Sequence, residues 1–110
     1  MNYQRIYNDI CKRGQNRKLN CYSEKHHITP KCMGGSDVEE NITILTAKEH
    51  YLAHRLLVEI HPDNEKIWYA FYMMCTVKTK DQKRFIPAGR VIDNVKKRNS
   101  RVISERHSRS

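Results

Sequence analysis

The sequence predicts an α+β domain: a small core made of a two-stranded antiparallel hairpin and the helix that follows it, surrounded by additional helices. Three observations carry that prediction. The run NITIL, Asn41 to Leu45, is β-branched and alternating, as a half-buried strand is. Thr46 is followed three residues later by Glu49, a capping box that starts a helix at Ala47. Outside residues 22–61 the apolar side chains recur at helical spacing. At 110 residues the chain is one domain with one small core. Its core motif is 22–61, set between a basic N-terminal helix within 1–21 and a helical, basic region over 62–110.

In chain order, Tyr3, Ile6, Tyr7, Ile10 and Cys11 share one face of a helix over 3–13, which Gly14 is expected to end. A basic polar loop, QNRKLN, leads to Cys21. Tyr22 to Thr29 suits a short strand that Pro30 stops. Lys31 to Glu40 is a loop in which Gly34 and Gly35 permit backbone angles other residues avoid. NITIL then pairs back on the first strand. The helix from Ala47 runs to about Ile60, where His61 and Pro62 close it, with His61 placed to interact with the terminal carbonyls.

Asp63 or Asn64 caps a third helix over 65–76, whose Ile67, Trp68, Phe71, Tyr72 and Cys75 form a broad apolar face against the preceding helix. After the basic loop KTKDQKR a last helix spans Ala88 to Glu105. It offers Val91, Ile92, Val95, Val102 and Ile103 for docking, and Arg90, Lys96, Lys97, Arg98 and Arg101 for solvent or phosphate. The tail, RHSRS, is expected to fray.

The net charge of +9 and pI near 9.6 point to a polyanionic partner. The distribution is uneven. Residues 1–21 hold five basic side chains against one acid, 76–110 hold eleven against three, and 22–75 hold five against eight. Basic flanks that grip phosphates around a mildly acidic centre that performs chemistry would have this profile; charged flanks that are merely solvated are the alternative.

No segment approaches the ~20 apolar residues of a membrane span, and the start, MNYQRIYNDICKRG, lacks the apolar region of a secretory signal. The expected location is the cytoplasm. Cys11, Cys21, Cys32 and Cys75 match no CxxC knuckle and are read as buried thiols, with a structural zinc on Cys21 and Cys32 as the other option.

Five of the six histidines lie within 22–61. His50 and His54 are four apart on the predicted helix, hence on one face one turn apart. Two imidazoles so placed can hold one metal ion, and a third from the neighbouring strand completes a facial set with positions left for water and substrate. Adjacent residues on a strand point to opposite sides, so His26 and His27 cannot both face that ion; one binds and the other does something else. Glu24 and Glu49 are read first as solvated carboxylates, with orientation of the ligand histidines as the alternative.

The stretch EKHHITPKCMGGSDVEENITILTAKEHYLAH resembles the HNH endonuclease family, whose ββα-metal motif runs HH, then Asn after a glycine-bearing loop, then a helix with HxxxH. It is most similar to phage-type HNH homing endonucleases. The resemblance implies a DNA endonuclease in which His26, His50 and His54 hold one divalent ion and His27 is the general base. It also implies that Asn41 steadies the loop and orients that base through its side-chain carbonyl. Mg2+ or Mn2+ would serve activity, and Zn2+ or Ni2+ can be bound by three imidazoles. Double-stranded DNA is the implied partner of a monomer or weak homodimer, in the host cytoplasm if phage-encoded; Lys31 and Arg55 are the candidate phosphate contacts the residues themselves offer. Two other classes stay open: a non-catalytic, zinc-stabilised DNA-binding module closed by Cys32, Cys21 or Glu24, and an RNA-cleaving nuclease of the same type.

Overall fold

The computed structural model describes residues 1–76, 87 and 89–108, with side chains described as far as 98. The helices are α1 (Tyr3–Gln15), α2 (Ala47–Ile60), α3 (Glu65–Thr76) and α4 (Gly89–Ser108), and the strands are β1 (Glu24–His27) and β2 (Ile42–Leu45). Single 3-10 turns at Lys31–Met33 and Glu39–Asn41 interrupt the loop between the strands. The two strands pair antiparallel, with Glu24 opposite Leu45 and His27 opposite Ile42. The predicted α+β architecture is therefore the one observed.

Alternation in NITIL sorts its side chains as a half-buried strand requires: Thr43 and Leu45 are fully buried, whereas Ile42 and Ile44 are only half-buried. β1 is shorter than the Tyr22–Thr29 strand expected, because β2 offers only four residues to pair with. Beyond it the chain keeps one further bond, from the Ile28 amide to the Asn41 carbonyl at 2.8 Å, and then turns away.

Gly14 does not end α1, which continues to Gln15. Its role is proximity. A Cβ at Gly14 would lie 2.1 Å from Thr43 Oγ1 and 2.7 Å from the Ile44 carbonyl oxygen, so a bare backbone is what lets α1 press onto β2. Thr43 Oγ1 donates to the Cys11 carbonyl at 2.7 Å across the same contact. Tyr7, Ile10 and Cys11 are buried, while Tyr3 and Ile6 at the other edge of the predicted face remain exposed.

α2 begins as predicted, with the Thr46 hydroxyl and the Glu49 carboxylate forming both bonds of the capping box, and His61 closes it as the C-cap. Asn64 caps α3, its Oδ1 accepting from the Lys66 and Ile67 amides. α4 reaches three residues past the expected end; Ala88, the loop KTKDQKR and the side chains of Arg101, Val102 and Ile103 lie outside the described residues.

The core joins Tyr7, Ile10 and Cys11 of α1 to Leu45 of β2, Leu57 and Val58 of α2, Ile67 and Phe71 of α3, and Val95 of α4. Full burial of a side chain such as Leu45 or Ile67 contributes roughly 1.5–3 kcal/mol. The consequence for the site is that α2, which carries His50 and His54, is packed against both α1 and α3.

Candidate active site and metal centre

His26 comes from β1, His50 and His54 from successive turns of α2. The capping box fixes where α2 starts, and so fixes the turn on which each histidine falls; the alternation of β1 turns Glu24 and His26 inward together. The three rings stand edge to face, with centroids 5.1, 5.0 and 4.8 Å apart. One nitrogen from each lies within 4.8 Å of the others, and His50 Nε2 is 3.2 Å from His54 Nε2. Metal–imidazole bonds of ~2.0–2.1 Å place neighbouring ligand atoms roughly 3.0–3.4 Å apart, so the pair fits one ion. The three predicted ligands thus form a cluster that could hold a metal.

Burial, and next the His50 and His27 imidazoles, push the His26 pKa down to about 3. The ring is therefore neutral and offers a lone pair, as a metal ligand must. Glu24 is not the solvated carboxylate first expected: its Oε1 accepts from His50 Nδ1 at 2.8 Å, and the Tyr22 hydroxyl donates to its other oxygen. That bond leaves His50 Nε2 unprotonated toward the cluster. Glu49 serves α2 instead. Burial opposes its charge, but Arg17 and the Thr46 amide and hydroxyl outweigh that and hold its carboxyl below the usual value.

His27 lies next along β1 and lines the same pocket of about 300 Å³ as the other three histidines. Its Nε2 is 2.7 Å from Asp37 Oδ1, an oxygen that also lies 3.1 Å from Lys31 Nζ. The His27 ring, followed by the Lys31 ammonium, holds the Asp37 carboxyl below its usual range.

Asn41 was expected to fix the base through its side-chain carbonyl, and its bonds lie elsewhere. Oδ1 accepts from the Thr29 amide at 2.8 Å, and Nδ2 donates to the Thr29 and Ser36 carbonyls at 3.0 and 2.8 Å. Asn41 therefore staples both arms of the loop, and Asp37 takes the place at His27. The staple needs Gly35, where a Cβ would sit 1.7 Å from the Thr29 carbonyl oxygen; Gly34 has φ +90° and supplies the left-handed turn.

Cys11 and Cys75 are buried as expected, but Cys21 and Cys32 are exposed; Cys32 lines the pocket, yet neither it nor Cys21 joins the histidine cluster, and among the described residues no fourth protein ligand does. Lys31 stands at the rim of the pocket with Lys25 and Lys66, two lysines that no sequence motif singles out. Arg55 lines a separate groove between α1 and α2. Arg90, Lys96 and Lys97 are exposed on α4, whereas the Arg98 guanidinium lies 4.2 Å from the Trp68 ring centroid and bonds the Pro62 carbonyl at 3.3 Å.

No family model and no solved structure matches this sequence. Curated proteins do. Over 111 residues the chain is 46% identical to the probable mobile endonuclease E of Enterobacteria phage T4, a match that covers 96% of this chain and 78% of that protein. The chain belongs to the phage mobile endonuclease family. Two other mobile endonucleases of phage T4 match over a narrower stretch: probable mobile endonuclease D is 46% identical over 80 residues, and C is 39% identical over 82. The chain spans 31% and 38% of the lengths of those two family members. The sequence marks Tyr7 only as one of the residues on the apolar face of a helix, singles out neither Lys25 nor Lys66, and gives Asp37 no role; the spacing of Glu24 two residues before His26 on one strand was the signal available for its inward position. No described helix is long and apolar enough to cross a membrane.

Proposed function

We propose that the chain is an HNH-type, metal-dependent endonuclease that hydrolyses phosphodiester bonds in double-stranded DNA. The observation that carries this reading is the meeting of His26, His50 and His54 in one cluster, with His27 opening on the same pocket. The endonuclease names of the T4 relatives support the reaction class, and the +9 charge supports a polyanionic substrate.

A divalent ion held by His26, His50 and His54 would supply positive charge to a scissile phosphate oxygen and the departing 3′ oxygen. Mg2+ or Mn2+ is proposed for activity; Zn2+ or Ni2+ suits the imidazole set. His27 acts as general base. Its Nε2–H donates to Asp37, which leaves Nδ1 to take a proton from water as the water oxygen attacks phosphorus. The P–O3′ bond breaks, the 3′ oxygen takes a proton from solvent, and the ends are 5′-phosphate and 3′-hydroxyl. Lys25, Lys31 and Lys66 neutralise phosphates around the pocket.

The test is incubation of supercoiled plasmid with the purified chain and Mg2+, Mn2+, Zn2+, Ni2+ or EDTA, resolving nicked from linear product. Cleavage that needs a divalent ion is expected. Intact plasmid under every metal condition would overturn the proposal.

A further inference from the structure

Tyr7 belongs to α1, outside the stretch that carries the histidines, yet its hydroxyl reaches the centre of the site. The side chain is buried, and its oxygen lies 2.7 Å from His26 Nε2 and 2.6 Å from the Ile28 carbonyl oxygen. A carbonyl oxygen only accepts, so the single phenolic proton goes to Ile28 and the hydroxyl turns a lone pair toward His26. His26 Nε2 must then carry a hydrogen. A ligating imidazole is neutral and has one N–H, which leaves the free lone pair of His26 on Nδ1.

We propose that Tyr7 is a positioning residue for the metal centre: it fixes His26 as the Nε2–H tautomer, so that His26 ligates through Nδ1 while His50, its Nδ1–H taken by Glu24, ligates through Nε2. Two further contacts hold Tyr7 in place. The bond from Thr43 to the Cys11 carbonyl and the close approach at Gly14 both seat α1 on β2. The first helix is thereby part of the active site, and the site is completed by an element that the HH, Asn and HxxxH residues do not include. This inference rests on the proposed metal-dependent activity.

Three measurements on the full chain test it. Long-range proton–nitrogen NMR of the 15N-labelled, Zn2+-loaded protein reads the state of each ring nitrogen. The expected result is a protonated Nε2 and a metal-bound Nδ1 for His26, with the reverse for His50; a metal-bound Nε2 on His26 would overturn the inference alone. Co2+ titration of Tyr7→Phe, followed by the visible absorption of the bound ion, is expected to show binding weaker by about 10- to 100-fold. A purely structural role would lower melting temperature equally with and without metal, whereas a positioning role shrinks the metal-induced rise. Wild-type Co2+ affinity and spectrum in Tyr7→Phe overturn the inference. If that variant does not fold, the NMR result on the wild-type chain decides. Failure of the wild-type chain to take up any of these metals is the distinct result that overturns the proposed function with it.

Discussion

Asp37 Oδ1 lies 2.7 Å from His27 Nε2, joining the far end of a ten-residue stretch of loop to the last residue of β1. Asp37 is 73% exposed, so the bond is made in water and contributes little to stability. Its effect is orientational: a carboxylate that accepts from Nε2–H leaves Nδ1 as the only nitrogen able to take a proton. Asp37→Ala is therefore expected to lower single-turnover plasmid cleavage about tenfold while the melting temperature stays near that of wild type. An unchanged cleavage rate would show that His27 needs no such partner.

His27 itself separates catalyst from binding module. It is not one of the three histidines whose nitrogens cluster, so His27→Ala would remove the proposed base and none of the proposed ligands. Metal and DNA affinity should persist while cleavage falls by about 10²-fold or more, the usual scale for loss of a general base. Calorimetry and plasmid nicking on the same preparation check this. Wild-type cleavage by His27→Ala would leave water activation to the ion alone.

The parts of the fold and site that were legible in the sequence are those encoded locally. Thr46 and Glu49 carry both bonds of a cap within one turn, and that cap fixes the phase of His50 and His54. The β-branched alternation of NITIL likewise places Thr43 and Leu45 without reference to the rest of the chain. Tyr7 meets His26 across 19 residues of chain, Asp37 meets His27 across 10, and Lys66 enters only through a pocket that several elements close together. Tyr7 reads in the sequence as one more apolar helical residue, because a phenol buries its ring and hides what its hydroxyl will meet. Gly14 reads as a stop and is a contact, since a glycine required for close approach has the same sequence appearance as one that ends a helix.

The depressed pKa of His26 has a measurable consequence for stability. The folded chain protonates this ring at about 3, the unfolded chain near 6.5. Between those values the unfolded state binds more protons, so stability rises with pH across the window and is lost as pH falls through it. The slope is at most ~1.4 kcal/mol per pH unit, or about 2 kcal/mol from pH ~6.5 to pH ~5. Urea unfolding of the EDTA-treated protein should show this loss, and His26→Ala should show a flatter profile by a comparable amount. Identical profiles for the two proteins would mean that His26 is not held neutral by its surroundings.

The basic residues fall into two groups that salt dependence can tell apart. Lys25, Lys31 and Lys66 are exposed at the histidine pocket, and Arg90, Lys96 and Lys97 are exposed on α4. Each phosphate contact contributes a slope of about −0.9 to the plot of log affinity against log salt. Lys66→Ala should flatten that slope by about 0.9 and also slow cleavage, because Lys66 lines the pocket of the histidines. A triple replacement of Arg90, Lys96 and Lys97 by Ala should flatten it by up to about 2.7 while metal affinity is unchanged. Arg98 differs from its neighbours, because its guanidinium is already stacked on Trp68 and bonded to the Pro62 carbonyl. Loss of a cation–π contact costs about 0.5–1 kcal/mol, so Arg98→Ala should lower the melting temperature and leave the salt slope close to wild type. Filter-binding titrations across a range of salt, paired with thermal melts, read both quantities. A slope in Arg98→Ala flattened by about 0.9 would show that Arg98 leaves Trp68 to engage DNA, and would make the Arg98–Trp68 contact a feature of the free protein alone.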